Sequence, residues 1–65
     1  MKKIAGYRKM LGMNQEEMAK KFGISKQAYW KKENGITQFS DKEKLQFKEM
    51  LIPLFSDITI DAIFF

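Results

Sequence analysis

The 65-residue sequence has the length of one small domain, and a chain this short buries only about 60% of the surface that its unfolded form exposes. It contains no cysteine and no histidine, which excludes the thiol nucleophile, the imidazole base and the usual zinc ligands. We therefore predict that the protein is not an enzyme and holds no metal or cofactor. We also expect a second copy to reinforce its thin core.

The net charge of +4 is unevenly distributed along the chain. Residues 1–35 carry nine Lys or Arg against three Glu, whereas residues 36–65 carry three Lys against five Asp or Glu. A basic half is typical of a protein that binds a polyanion, although the same cations would also solvate a small surface. Arg8 and Lys9 interrupt the apolar stretch behind the first lysines, so we expect no signal peptide, no membrane span and a cytoplasmic location.

The first part of the chain has the pattern of two short helices. Apolar residues at a spacing of three and four indicate a first helix that Gly12 should end. These residues are Ile4, Tyr7 and Leu11. Asn14 and Glu17 have the spacing of a capping box, in which each side chain satisfies a free amide at the helix start. A second helix should therefore run over about residues 15–22.

A three-residue turn with one glycine separates the second helix from a third. Gly23 can take the positive φ that ends a helix, and Ser25 can cap a helix over about residues 26–34. Two short helices joined in this way form the helix-turn-helix arrangement, which presents its second helix to the major groove of DNA. Ala19 is small where the two helices would cross, and Tyr29 should point into the core.

The second half of the chain predicts a longer helix. Ser40 and Glu43 repeat the capping-box spacing, so this helix should span about residues 41–51 and stop at Pro53. Phe39, in the loop before it, should be an inward anchor. The buried side of the helix should carry Phe47, Leu51 and Leu54. The chain as a whole therefore predicts an all-α fold, a small bundle of four or five helices in one domain.

The last ten residues, 56–65, are ambiguous. They could form a short strand or a short helix capped by Asp57 or Thr59. Five large apolar side chains lie here, and we expect some of them to form an exposed dimerisation surface, although they could instead close the core of a monomer. They are Ile58, Ile60, Ile63, Phe64 and Phe65.

Several short stretches resemble a known family. The segment "YRKMLGMNQEEMAKKFGISKQAYWKKENG" is similar to the Cro/CI-type (Xre) helix-turn-helix family, with an arginine in the first helix, "QEEMA" in the second and "KENG" at the end of the third. The tail "FSDKEKLQF…DITIDAIFF" resembles short phage regulators of Gram-positive bacteria. The resemblance implies a lambda-repressor-like domain and a Cro-like repressor that binds a palindromic operator as a homodimer. It also implies a structural ion pair between Arg8 and Glu33, and a phosphate contact by Gln15.

The resemblance places the base contacts on the third helix, at Lys26, Gln27, Trp30 and Lys31. Helical spacing agrees, because Gln27, Trp30 and Lys31 share the face opposite an inward Tyr29. Glutamine can pair with adenine, and lysine can donate to guanine. The alternative is that these polar residues are only a solvated face, and Trp30 could fold back over the second helix.

Further side chains at helix ends can meet phosphate oxygens. The candidates are Asn14, Ser25, Asn34 and Thr37, with Lys32 adding positive charge. Each of the four could instead be an ordinary cap, and for Asn14 and Ser25 we expect capping to be the primary role. The rival function is a protein-interaction modulator or antirepressor, which would bind a partner repressor through the apolar C-terminal surface. An antitoxin is less well supported, because the sequence has no long disordered extension to wrap a second protein.

Overall fold

A computed structural model describes residues 2–65, with side chains from Lys3 onward, so Met1 and the Lys2 side chain lie outside the described part. Five helices follow one another within that part, and no strand is present there. They are α1 (Lys2–Met10), α2 (Gln15–Phe22), α3 (Lys26–Glu33), α4 (Asp41–Leu51) and α5 (Ile60–Phe64). The prediction of an all-α bundle is confirmed.

The helix boundaries follow from local capping. Asn14 and Glu17 form the predicted capping box, with the Asn14 Oδ1 accepting from the Glu17 amide at 2.8 Å and the Glu17 Oε1 accepting from the Asn14 amide at 2.9 Å. Gly23 ends α2 at a φ of 69°, a backbone conformation that only glycine adopts easily. Helix α3 ends at Glu33, one residue earlier than predicted, because Asn34 is its C-cap.

Aromatic rings join the helices into one core. The rings pack with centroids 5.1–6.3 Å apart, in edge-on, tilted and stacked pairs. They belong to Phe22, Tyr29, Phe39, Phe47 and Phe64. Helices α2 and α3 form the most extensive contact, and Ala19 is buried there, as its small size predicts. The loop residue Phe39 is the predicted inward anchor.

The C-terminal segment is a helix that closes the core. The Thr59 hydroxyl accepts from the Ala62 amide at 3.1 Å, so Thr59 and not Asp57 caps α5. The helix packs against α1 and α4 and buries Ile63 and Phe64. The prediction that Ile63 and Phe64 belong to an exposed dimerisation surface is therefore wrong, because the monomer already encloses both side chains. Phe65 remains 78% exposed, and Ile58 and Ile60 are half-buried.

The predicted burial of Leu54 is also wrong. Sequence spacing placed it with Phe47 and Leu51 on the buried side of α4, but it is 52% exposed. Helix α4 ends at Leu51 before Pro53, so Leu54 no longer follows the helical period that buries Phe47 and Leu51. No helix in residues 2–65 is both long enough and apolar enough to cross a membrane.

Candidate nucleic-acid interface

Helix α3 has one face in the core and one face in solvent. Tyr29 is fully buried and Glu33 nearly so, whereas Lys26, Gln27, Trp30 and Lys31 are exposed. Trp30 keeps 46% of its surface accessible and is not among the residues packed on the core. Trp30 is therefore not a satellite of the core.

The exposed face of α3 adjoins the start of α2. Gln15 lines the same open cleft as the four exposed α3 residues, and the lining of the cleft is mainly apolar. None of the four α3 side chains has a hydrogen bond or ion pair to another part of residues 3–65. Their donors and acceptors are therefore directed to an external ligand or to water.

Two side chains from other helices donate hydrogen bonds to the carboxylate of Glu33. Arg8 binds it through two nitrogens, Nε to Oε2 at 2.8 Å and Nη2 to Oε1 at 3.2 Å, and donates from Nη1 to the Met13 carbonyl at 2.9 Å. Gln15 donates from Nε2 to the Glu33 Oε1 at 3.0 Å. The structure thus contains the Arg8–Glu33 pair that the resemblance implied. It joins α1 to the last turn of α3, and Gln15 joins α2 to the same point.

Burial and hydrogen bonding shift the pKa of Glu33 in opposite directions. Burial raises this pKa, but the hydrogen bonds from Arg8 and Gln15, together with the charge of Arg8, outweigh burial and hold it below its usual value. The same contact with Glu33 raises the pKa of Arg8, and burial together with the Glu33 carboxylate raises that of Tyr29. Glu33 is therefore ionised in the folded protein at neutral pH.

The predicted phosphate contacts lie at helix ends, and most of them also have an internal role. The oxygens of Asn14 and Ser25 accept hydrogen bonds from backbone amides, and the Asn34 Nδ2 donates to the Trp30 carbonyl at 2.9 Å. Thr37 is exposed in the loop between α3 and α4. The three capping residues are thus held in fixed orientations at the ends of α2 and α3.

Lys32 does not extend from the surface as a phosphate-binding cation would. Its Nζ donates to the Glu43 Oε1 at 2.8 Å and to the Gln38 carbonyl at 3.1 Å, and it lies 5.9 Å from the centre of the Phe39 ring. Its side chain is only 17% exposed. In the free protein the start of α4 therefore already neutralises this charge, and Lys32 adds less positive charge to the surface than the sequence suggested.

A family model described as "Helix-turn-helix" matches residues 4–43, which include most of α1, all of α2 and α3, and the first turn of α4. The chain belongs to this helix-turn-helix family, of the Cro/CI (Xre) type. No curated protein and no solved structure gives a match. The matched region contains the exposed α3 face and the contacts of Arg8 and Gln15 with Glu33.

Membership of the helix-turn-helix family makes the protein a DNA-binding regulator. Two contacts of its framework were not predicted from the sequence, the Gln15–Glu33 hydrogen bond and the Lys32–Glu43 ion pair. Each joins residues that are distant in the sequence, 18 and 11 positions apart, and no local pattern marks them. No group of three or more Asp or Glu side chains in the described residues is arranged to hold a metal ion.

Proposed function

We propose that the protein is a Cro-like repressor that inserts α3 into the major groove of a palindromic operator, in the cytoplasm of a bacterial cell. The supporting observation is the exposed α3 face at Lys26, Gln27, Trp30 and Lys31, which has no partner in the rest of the described chain. Occupying an operator in this way blocks transcription without any catalytic step.

The chemistry of the face suits base edges. The Gln27 amide can donate to and accept from one adenine, and either lysine can donate to guanine O6 and N7. Trp30 offers an apolar surface to a thymine methyl group, and it reaches out from the same face. Each specific pair discriminates between bases by about 1–3 kcal/mol. Gln15, the capping residues and Thr37 then contact phosphates on either side, which positions the helix without reading sequence.

A palindromic operator requires two copies of the protein. Equivalent recognition helices must lie about 34 Å apart to enter successive major grooves on one side of the duplex. The described residues measure 30 × 22 × 21 Å, so two copies in contact can span that separation. If each copy neutralises about four phosphates, the logarithm of the binding constant should fall with the logarithm of salt concentration at a slope of about −7.

Selection from random double-stranded DNA tests this proposal. The wild-type protein should enrich a two-fold symmetric site, and Gln27→Ala should weaken binding to that site by about 1–3 kcal/mol while relaxing the preference at one base pair in each half. Lys42→Ala, an exposed change in α4, is the matched control and should leave the preference intact. Failure to enrich any site, or a Gln27→Ala protein with an unchanged preference, would contradict the proposal.

A second candidate function is that of a modulator or antirepressor that binds a partner repressor. The observation in its favour is the exposed apolar surface after α4, where Leu54 and Phe55 are 52% and 40% accessible. A gel shift with the isolated protein distinguishes the two functions. The repressor binds its selected site alone, whereas the modulator changes DNA binding only when the partner repressor is present.

A further inference from the structure

A cleft lies between the loop that follows α3 and the helices α1, α4 and α5. Its volume is about 260 Å³, just below the roughly 300–1,000 Å³ that is usual for the sites of drug-sized ligands. A ligand with a single ring therefore suits this cleft better than a larger one. The cleft shares no lining residue with the exposed face of α3.

The walls of the cleft are mainly apolar. Ile4 of α1 contributes an aliphatic side chain, and three aromatic rings complete the apolar lining, those of Phe39, Phe64 and Phe65. Phe39 and Phe64 are fixed in the core with their centroids 5.1 Å apart, whereas Phe65 is 78% exposed. Aromatic pairs prefer edge-on and offset arrangements, so an inserted ring has partners on more than one side.

Lys44 brings to this cleft a cation that lacks an anionic partner. Its Nζ lies 4.9 Å from the centre of the Phe65 ring and 6.0 Å from that of Phe64. Within residues 3–65 this amine has no hydrogen bond or ion pair, whereas the amine of the other lining lysine, Lys32, is bound to Glu43 at 2.8 Å. Lys44 is also half-buried, so its charge is less well hydrated than that of a fully exposed lysine. An anion in the cleft would pair with it.

The loop between α3 and α4 forms the remaining side of the cleft, through Gly35, Thr37 and Gln38. The loop is bonded to the last turn of α3, because the Ile36 amide donates to the Lys31 carbonyl at 2.9 Å. Lys32 holds its other end by donating to the Gln38 carbonyl at 3.1 Å. An occupant of the cleft therefore contacts the segment that joins the reading helix to α4.

We infer that this cleft binds a small aromatic carboxylate, with its ring against the phenylalanines and its carboxylate on the Lys44 amine. Charge complementarity selects the anion, and the aromatic walls select the ring. The ligand leaves the exposed face of α3 free, so the inference goes beyond the proposed function and does not depend on it. With one cation and a cleft that is partly open to solvent, binding should be weak, with a Kd of about 1 mM.

Titration of the 65-residue protein with 3-phenylpropionate, followed by nuclear magnetic resonance without DNA, tests the inference. Backbone amide signals of the loop, of the first half of α4 and of α5 should shift and saturate. The amide of the same acid, 3-phenylpropanamide, has the same shape without the charge and should bind about fivefold more weakly. Acetate, which has the charge without the ring, should produce no saturable shift at the same concentrations.

Two lysine variants identify the cation. Lys44→Met should weaken binding of 3-phenylpropionate about fivefold and leave binding of the neutral amide unchanged, because only the carboxylate uses the charge. Lys48→Met is the matched control, since Lys48 is also half-buried in α4 but does not line the cleft. It lowers the net charge equally and should leave the binding of both ligands unchanged. Circular dichroism establishes that each variant is folded.

Four results would overturn the inference. They are the absence of saturable binding at millimolar concentrations, equal binding of the carboxylate and the amide, wild-type binding by Lys44→Met, and signals that move only outside the loop, α4 and α5. The comparison of carboxylate with amide uses only the wild-type protein, so it decides the point even if Lys44→Met does not fold. DNA takes no part in these measurements, and failure to select an operator would leave them unaffected.

Discussion

Glu33 is enclosed at the junction of three helices, with its side chain 5% exposed. Its carboxylate accepts from Arg8 in α1 and from Gln15 in α2, and it is the last residue of α3. An enclosed ion pair contributes little net stability, because desolvation offsets the attraction, but it has a strict geometry. We propose that its role is to set the angle of the recognition helix.

Removing Arg8 should reveal the cost of leaving that carboxylate unpaired. We expect Arg8→Ala to lower the free energy of unfolding by about 3–5 kcal/mol in urea denaturation. Replacing both partners, as Arg8→Met/Glu33→Leu, should recover most of the stability while reducing sequence-specific DNA binding, since the helix angle is no longer fixed. A double variant that keeps both stability and specificity would contradict the orienting role.

Two adjacent lysines should behave differently because only one is paired. Lys32→Met removes the ion pair with Glu43, so it should lower the melting temperature but leave the salt dependence of DNA binding unchanged. Lys31→Met removes an exposed cation, so it should weaken specific binding by about 1–3 kcal/mol with little effect on melting. Thermal melting and salt titration of both variants check the contrast. A reduced salt slope for Lys32→Met would show that this lysine does reach phosphate.

At the scale of the elements, α5 covers the end of the core that α1 and α4 leave open. The helix has only five residues, too few to be stable alone, so it depends on its cap and on the two side chains that it buries. Ile63 and Phe64 fill the end of the core. The centroid of the Phe64 ring lies 5.1 Å from that of Phe39 and 5.7 Å from that of Phe47. The remaining end residue, Phe65, points outward and is held 4.9 Å from the Lys44 amine.

The assignment of Thr59 as the N-cap of α5 can be tested by mutation. Thr59→Ala should lower the free energy of unfolding by about 1 kcal/mol, because the Ala62 amide loses its acceptor. Asp57→Ala is the control and should change stability by less than about 0.5 kcal/mol, since Asp57 is not the cap. Both should be measured by urea denaturation at protein concentrations too low for self-association. Equal effects of the two changes would contradict the assignment of the cap.

At the scale of the whole molecule, the ionisable groups determine how stability depends on pH. The protein has no histidine, so no side chain of that type titrates between pH 5 and 8. Burial raises the pKa of both Glu33 and Glu43, but their hydrogen bonds outweigh it and lower both values. A carboxylate whose pKa is lower in the folded state stabilises the fold above its unfolded pKa.

We therefore expect stability to be nearly constant from pH 6 to 8 and to fall as the pH drops below about 4.5, the ordinary pKa of glutamate. In this range the unfolded chain takes up protons that folded Glu33 and Glu43 still resist. Melting temperatures measured at successive pH values would show the fall. Glu43→Gln should reduce its steepness, whereas Glu49→Gln, an exposed change in the same helix, should leave it as it is. A steep loss of stability between pH 6 and 8 would contradict this account.

Much of this protein could be read from the sequence because the deciding interactions are local. The caps at Asn14, Ser25 and Ser40 act on amides three residues away, so the starts of α2, α3 and α4 were predicted correctly. The exposure of Gln27 and Lys31 followed from helical spacing once Tyr29 was placed in the core. Interactions within one turn of helix leave their signature in the order of residues.

Only the tertiary structure decided which of several equivalent-looking side chains would be enclosed. Lys32 resembles Lys31 in the sequence, but the fold places it beside Glu43 and the Gln38 carbonyl. Ile63 and Phe64 resemble Phe65, but one turn of helix directs them into the core and leaves Phe65 outside. Burial depends on which segments pack around a position, and those segments are distant in the chain. The sequence by itself therefore determined helices α1 to α4 and the exposed face of α3, while packing selected the paired lysine, the helical form of the last residues and the closed end of the core.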